Sequence, residues 1–164
     1  NARLLVCGAF EFLEQYVAPH TVSEVHIYHP QPYHDTDKAY RRLVTPEFLG
    51  LVHRALRSNG QVVAQTDNQA YWSYLREVLP EFFDFTERNE PWPEDPQGRT
   101  RREIMASRQG LAILRGSAGP RPLSDEQMAE LVERLPAPNF ASSRPHHGPP
   151  PRRTPWRRGR GGRR

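Results

Sequence analysis

Gln31 and Asp67 each follow an apolar run of the sequence that is typical of a strand. The two runs are VSEVHIYH at 22–29 and QVVAQT at 61–66. Asp67 offers a carboxylate, which accepts hydrogen bonds, whereas the amide of Gln31 both donates and accepts them. Because ligand sites in parallel α/β sheets collect at the carboxyl ends of the strands, we predict a polar site that includes both side chains.

Each of these candidates also has a structural alternative. Asp is a preferred N-cap residue, so Asp67 also fits the start of the helix predicted after it. Gln31 equally fits a polar loop residue in a Pro-x-Pro corner. Thr100 and Glu103 have the T-x-x-E spacing of a capping box, which by itself indicates a helix start. The residues alone leave the choice between chemistry and structure open at all four positions.

Arginines are the candidates for binding an anion. Arg41 and Arg42 form a pair, and guanidinium groups bind phosphate through two parallel hydrogen bonds, although a solvated loop is the alternative. Residues 144–164 contain eight arginines and no acidic residue, whereas residues 1–143 carry 15 basic and 19 acidic side chains. We therefore expect an anionic partner to meet the arginine-rich segment first. Its composition resembles arginine–glycine-rich RNA-binding segments, with a solubilising extension as the alternative.

The histidines His26, His29 and His34 raise the question of a metal site. The first two are three residues apart on a predicted strand, so they point to opposite faces, and no cysteine joins them. We therefore expect no metal. The single cysteine, Cys7, excludes an internal disulfide. With no apolar run of membrane-spanning length and no leader pattern, we expect a cytoplasmic protein, a monomer, without a membrane partner.

Short apolar strands alternate with amphipathic helices along most of the chain, which is typical of βαβ units and predicts an α/β fold with a parallel sheet. Thr45 and Pro46 mark one helix start. Gly60 predicts the end of that helix in a left-handed cap, and Pro80 predicts the end of the next. The predicted strands are 3–7, 22–29, 61–66, 82–87 and 109–115, and two further predicted helices are 9–17 and 69–79.

The character of the sequence changes after Gly116. Residues 123–135 form a last predicted helix, which a Ser124–Gln127 capping box begins and Pro136 ends. Beyond it the chain is rich in Pro, Arg and Gly and poor in apolar residues, a composition that predicts disorder. We therefore predict a domain at 1–116, a linker with an amphipathic helix at 117–136 and a disordered basic tail at 137–164.

Five short motifs, taken in order, resemble those of bacterial tRNA (guanine-N7)-methyltransferases. The family's F-P-D-P-W corner corresponds to HPQPY at 29–33, and its closing double arginine follows at the same spacing. The family's A-T-D-x-x-x-Y corresponds to QTDNQAY at 65–71, and its T-x-x-E to TRRE at 100–103. The segment before its fourth strand corresponds to residues 1–13. The resemblance implies the C-terminal part of a class I, Rossmann-like, S-adenosylmethionine-dependent methyltransferase sheet.

The chain departs from this pattern in two places. Gln31 replaces the aspartate of the corner, and Asp35 stands among residues that are basic in the family. Gly8 and Ala9 replace an Asp-Ala pair. The glycine-rich motif that holds S-adenosylmethionine in the family would precede Asn1, so we expect that the chain lacks the first βα units.

The resemblance implies methyl transfer from S-adenosylmethionine to N7 of a guanine, at position 46 of tRNA. It makes Asp67 and Gln31 the catalytic positions, with Asp67 accepting hydrogen bonds from the guanine N1–H and N2–H₂. Gly8, Ala9 and Gln31 would contact the methyl donor. The substrate contacts that it implies are Asp35, Arg41, Arg42, Asp67, Thr100 and Glu103. A non-catalytic RNA-binding relative and a methyltransferase with a non-RNA substrate remain as alternatives.

Overall fold

A four-stranded sheet with helices packed against it organises the chain in the computed structural model, which describes residue 2 and residues 4–142. The predicted α/β class is confirmed. No helix among these residues is long and apolar enough to cross a membrane. The strands are β1 (Val22–Tyr28), β2 (Leu56–Thr66), β3 (Phe83–Arg88) and β4 (Leu114–Pro120). The helices are α1 (Ala9–Gln15), α2 (Pro46–Ala55), α3 (Gln69–Phe82), α4 (Arg101–Arg108) and α5 (Asp125–Arg134).

The strands lie in the order β1-β2-β4-β3. β1 and β2 are parallel, as predicted, with Tyr28 beside Gln65 near their carboxyl ends. β4 is antiparallel to both of its neighbours, so the prediction of a wholly parallel sheet is wrong. Arg88 at the end of β3 pairs with Arg115 near the start of β4. β4 therefore starts at the same end of the sheet at which β3 finishes, so the two strands run antiparallel.

Two of the predicted strands are wrong. Residues 4–7 form no strand, and Leu4 and Val6 are each 93% exposed. A strand needs neighbours that pair its backbone and cover its side chains, and no described residue does so here. The strand predicted at 109–115 begins only at residue 114, because Gly110 takes a φ of 73° in the turn that follows α4.

Side-chain caps begin α2 and α5 as predicted. Thr45 Oγ1 accepts a hydrogen bond from the Phe48 N–H at 3.2 Å, and Pro46 occupies the first helical turn. Ser124 and Gln127 make both hydrogen bonds of a capping box. These signals are local, which explains why the sequence alone predicts them.

The helix ends depend on burial and differ from the predictions. α2 stops at Ala55, because Leu56 is buried and already belongs to β2. Gly60 lies inside β2 rather than in a left-handed cap, and a Cβ atom there would come within 3.0 Å of the Ser23 carbonyl oxygen. α3 continues through Pro80 to Phe82, since the proline lies in its last turn and Phe82 is buried in the core.

The core continues beyond residue 116, where the sequence predicts the domain to end. Ala118 on β4 pairs with Val62 on β2, and Leu131 of α5 is buried in the same hydrophobic cluster. Residues 136–142, which we name the strap, pack against α3, where the ring of Phe140 lies 5.1 Å from the ring of Tyr71. Residues 137–142 are therefore packed, and the rest of the predicted tail, 143–164, lies outside the described residues.

Candidate functional site

The corner after β1 has an unusual backbone. His29 and Tyr33 have φ angles of 49° and 41°, in the left-handed region that non-glycine residues seldom adopt. The His29 N–H donates to the Gln65 carbonyl at 2.7 Å, which ties the corner to the end of β2. Such conformations persist only where the surrounding structure holds them, and they concentrate at functional sites. The corner thus holds Gln31 near the residues that follow β2.

A cleft of about 720 Å³ lies where β1 and β2 end. The corner, the turn into α3 and the start of α4 form its walls. Among the sequence-predicted site residues, the structure brings Gln31, Asp67 and Thr100 together here. The described residues that line it are Tyr28, His29, Pro30, Gln31, Pro32, His34, Thr66, Asp67, Asn68, Thr100 and Arg102.

The Asp67 carboxylate belongs to the cleft and does not cap α3. Asn68 is the cap, with its Oδ1 accepting from the Tyr71 N–H at 2.8 Å. Asp67 Oδ1 lies 3.1 Å from His29 Nδ1, and Arg102 Nη2 donates to Oδ2. Burial alone would raise the pKa of Asp67, but the hydrogen bonds from His29 and Arg102 and the charge of Arg102 lower it to about 2. Asp67 is therefore a fixed anion at neutral pH.

This lowered pKa predicts a contribution to acid stability. The ordinary pKa is 3.8, so the folded state favours the charged form of Asp67 by about 2 kcal/mol above that pH. The contribution should be lost as the pH falls from about 4 to about 2. Asp67→Asn, which carries no charge at any pH, should lose this part of the pH dependence in urea unfolding. Parallel stability curves for the wild type and Asp67→Asn between pH 5 and 2 would contradict the assignment.

Glu103 lies beneath the cleft and is 1% exposed. Its Oε1 accepts from Arg115 Nη2 at 2.6 Å, and its Oε2 accepts from the Arg99 N–H at 2.8 Å. Burial alone would raise the pKa of Glu103, but hydrogen bonds from Arg115, Gln65 and the Arg99 amide lower it. The carboxylate is thus engaged inside the protein, and this structure leaves no direct substrate contact for it.

Thr100 caps α4 and also lies at the cleft. Its Oγ1 accepts from the Glu103 N–H at 3.1 Å, so it caps α4 as the T-x-x-E spacing indicates. The capping box is not reciprocal, because the carboxylate of Glu103 reaches the Arg99 amide instead. Thr100 also lines the cleft, which Glu103 does not.

Arg42 is buried beneath the strap, with 2% exposure. Its guanidinium donates to carbonyls on both sides of it and lies 3.8 Å from the centre of the Phe140 ring. Burial lowers the pKa of Arg42. Its donors fasten the strap to the corner, so they are not free to bind a phosphate. The four acceptors are the carbonyl oxygens of Pro32, Tyr33, Pro138 and Phe140.

We expect Arg42→Ala to lower the free energy of unfolding by about 3 kcal/mol or more, because a buried polar group left unpaired costs about 1–3 kcal/mol. Arg42→Lys should lose part of this, since an ammonium group cannot reproduce the planar fork of donors. Urea unfolding measures the loss, and limited proteolysis should cut the strap sooner. The control is Arg41→Ala, which removes an exposed arginine. Equal unfolding free energies for the two alanine variants would contradict this account.

The strap ends at the cleft. Ser142 Oγ lies 3.0 Å from His34 Nδ1 and accepts a hydrogen bond from Asn68 Nδ2 at 2.8 Å. Both partners line the cleft. The arginine-rich segment 144–164 therefore follows closely on a residue that is held at the cleft.

Gly8 and Ala9 lie outside the cleft, at the start of α1. Ala9 lines a second groove of about 390 Å³, which runs along β1 and has a mostly apolar lining. Tyr28 and Pro30 line both the groove and the cleft, so the two cavities adjoin.

Asp35 and Arg41 also lie outside the cleft, at the two ends of a short 3-10 helix, Thr36–Arg41. Asp35 begins this helix and pairs with Lys38 at 3.1 Å. Arg41 is exposed and lies 5.9 Å from the centre of the Tyr40 ring. Of the two paired arginines, only Arg41 has the exposure that phosphate binding requires.

Sequence reasoning does not identify His29, Asn68 or Arg102 as site residues. A usable signal exists for His29, because it follows β1 as Asp67 follows β2, and residues that end adjacent parallel strands share one edge of the sheet. Arg102 lies within the T-R-R-E stretch, two residues after Thr100. Nothing in its spacing distinguishes it from Arg101, since only the fold decides which of the two reaches Asp67.

The cleft offers a fixed carboxylate, an amide at Gln31 and the half-exposed cation Arg102. This set suits a ligand that presents hydrogen-bond donors on one edge and carries an anionic group nearby. Among the described residues, no three His, Cys, Asp or Glu side chains are grouped so that they could hold a metal ion.

Comparison with known proteins gives a family match over residues 1–115, to the family described as "Putative methyltransferase". Curated relatives named tRNA (guanine-N(7)-)-methyltransferase match a shorter part. The relative from Paraburkholderia xenovorans is 37% identical over 79 residues, 48% of this chain and 30% of the relative. Those from Arthrobacter sp. and Xanthomonas campestris pv. campestris are 35% and 38% identical, over 52% and 53% of this chain and 27% and 32% of the relatives. The chain thus spans about a third of their length.

Proposed function

Since the chain belongs to the methyltransferase family that its residues 1–115 match, we propose that it transfers a methyl group from S-adenosylmethionine to N7 of a guanine in tRNA. The names of the curated relatives support tRNA and guanine as the substrate class. Position 46 is the finer part of the proposal and is what the resemblance of the corner and of the T-D-x-x-x-Y stretch to that family implies.

The observation that carries the proposal is the Asp67 carboxylate in the cleft. A guanine presents two donors, N1–H and N2–H₂, on the edge opposite N7. A carboxylate that stays ionised accepts both, and the low pKa of Asp67 keeps it ionised at neutral pH. Holding the base by that edge leaves N7 exposed to a methyl donor on the other side.

The reaction needs alignment more than acid–base chemistry. S-adenosylmethionine, held beside Gln31, would supply its methyl group to the N7 lone pair, with its sulfur as the leaving group. No proton has to leave. The chain's part is therefore to hold the base in line with the methyl group, and Asp67 can do so as an anionic acceptor.

The residues at the cleft fit one side of the methyl donor. When bound, S-adenosylmethionine supplies a methyl group activated by a positively charged sulfur. Gln31 would contact it from the corner, through an exposed amide that lines the cleft. Ala9 lies on the adjoining apolar groove, which suits an adenine ring. Gly8 lines neither cavity, so no role in binding the donor is assigned to it.

Arg102 is the residue best suited to meet the tRNA backbone. It is half-exposed at the rim of the cleft and pairs with Asp67 in the absence of substrate. A nucleotide that enters the cleft would bring donors to Asp67 and a phosphate to Arg102, so both charges keep a partner. Arg41 is also exposed, but it lies outside the cleft.

The test is methylation of an unmodified tRNA transcript with S-adenosylmethionine that carries a labelled methyl group. We expect labelled N7-methylguanosine in the nuclease digest by mass spectrometry, and strand cleavage at the modified base should map it to position 46. Label in another nucleoside, or in protein rather than RNA, would contradict the proposal.

Gln31 favours a second candidate, a non-catalytic RNA-binding relative, because an amide replaces the carboxylate that the resemblance implies at the corner. This candidate predicts tRNA binding without any transfer of label. The same assay, run with a binding measurement on the same transcript, separates the two.

A further inference from the structure

Four side chains form a continuous hydrogen-bonded chain from the interior to the cleft. Trp92 Nε1 donates to Gln65 Oε1 at 2.7 Å, and both residues are buried. Gln65 Nε2 lies 3.2 Å from His29 Nε2, and His29 Nδ1 lies 3.1 Å from Asp67 Oδ1. His29 and Asp67 have side chains that are 9% and 8% exposed.

The direction of each hydrogen bond in this series of four side chains follows from Trp92. The indole N–H of Trp92 can only donate, so the oxygen of the Gln65 amide must face it. The NH₂ group of Gln65 then faces His29, and its Nε2 must accept rather than donate. A neutral imidazole with a lone pair on Nε2 carries its proton on Nδ1, which is the nitrogen beside Asp67.

We propose that His29 is a positioning residue, fixed by Trp92 and Gln65 in the Nδ1–H tautomer so that it donates to Asp67 and sets the orientation of that carboxylate in the cleft. One consequence rests on the proposed function, namely that a correctly oriented Asp67 carboxylate holds the guanine edge. The tautomer and its effect on Asp67 are properties of the protein without substrate.

The charged groups around this chain are consistent with that direction. Glu103, whose pKa the Gln65 side chain helps to lower, is paired with Arg115. Turning the Gln65 amide over would set its NH₂ group against the Trp92 N–H. It would also leave the Trp92 N–H without an acceptor in the interior. Arg102 occupies the other oxygen of Asp67 and leaves Oδ1 to His29.

His29 and Gln65, the two central residues of the hydrogen-bonded series, both differ from the family motifs that this sequence resembles. The F-P-D-P-W corner has phenylalanine where this chain has His29, and the A-T-D motif has alanine where it has Gln65. Neither phenylalanine nor alanine can donate to a carboxylate. The two replacements contact each other through Gln65 Nε2 and His29 Nε2.

The direct test is the protonation pattern of His29 in the full 164-residue chain, labelled with ¹⁵N in its histidines. Long-range ¹H–¹⁵N correlation spectra near neutral pH should show a proton on Nδ1 and none on Nε2. Trp92→Phe keeps an aromatic ring but removes the donor, so the Gln65 amide can turn and the Nε2–H tautomer should gain population. A proton on Nε2 in the wild type, or no change in Trp92→Phe, would overturn the proposal.

The second test uses the pKa of Asp67, followed by ¹³C NMR of its carboxyl carbon. His29→Asn retains a donor near the position of Nδ1 and tolerates a positive φ, so the pKa should stay low. His29→Phe removes the donor, and the pKa should rise by about one unit or more. In the methylation assay, kcat/KM should fall in His29→Phe and recover in His29→Asn. An unchanged pKa of Asp67 in His29→Phe would overturn the proposal even if methylation is never observed.

Discussion

Asp67→Ala should lower kcat/KM for tRNA methylation by about 30- to 1,000-fold, which corresponds to about 2–4 kcal/mol of transition-state stabilisation. Among the described residues that line the cleft, Asp67 is the one whose side chain stays anionic at neutral pH and can accept both donors of the guanine edge. Steady-state methylation of a tRNA transcript measures the loss. Asp84→Ala is the matched control, because it removes an exposed carboxylate on β3, away from the cleft.

The same assay distinguishes Asp67 from Gln31. Gln31→Asp should preserve or raise kcat/KM, since a carboxylate at the corner accepts hydrogen bonds from the guanine or from S-adenosylmethionine more strongly than an amide does. If Asp67→Ala keeps full turnover, Asp67 is not the guanine acceptor. If Gln31→Asp abolishes turnover while the protein remains folded, the neutral amide at the corner has a specific role.

Deletion of residues 143–164 should weaken tRNA binding by about tenfold or more at 50 mM salt and flatten its salt dependence. The deleted segment carries eight arginines and no acid, and it follows from Ser142, which is held at the cleft. Each phosphate contact that is lost should remove roughly 0.7–0.9 from the slope of log K against log salt. The methylated position should not move, because contacts to phosphate carry no sequence information.

Two substituted forms of this segment separate charge from length. Replacing its eight arginines with lysine keeps the charge, so the salt dependence should remain. Replacing them with glutamine keeps the length and should reproduce the deletion. Superimposable binding curves for the wild type and the deletion at about 50 and 200 mM salt would show that the segment makes no contact with RNA.

The parts of the fold that the sequence predicts are those with local causes. The caps at Thr45 and Ser124 depend on a side chain and a backbone group three residues away, so the sequence contains the whole interaction. The helix ends near Gly60 and Pro80 depend on which residues the core buries, and local signals mislead there. Residues 4–7 have the composition of a strand but no neighbour among the described residues, and composition cannot supply one.

The same division applies to the site. Gln31 and Asp67 are predictable because each follows a recognisable strand, and adjacent parallel strands bring their ends together. Arg42 and Glu103 have the residue types of substrate contacts, yet they bind Phe140 and Arg115, which are 98 and 12 residues away in the sequence. Only the three-dimensional structure shows that their donors and acceptors are already in use.

The most direct test of guanine-N7 methylation uses two tRNA transcripts that differ at one atom. One carries guanosine at the accepting position and the other 7-deazaguanosine, which keeps the N1–H and N2–H₂ donors but has carbon in place of N7. We predict that both transcripts bind equally, because Asp67 contacts the edge that they share, and that only the guanosine transcript takes up labelled methyl from S-adenosylmethionine. Equal labelling of the two transcripts, or no labelling of the guanosine transcript, would contradict the account.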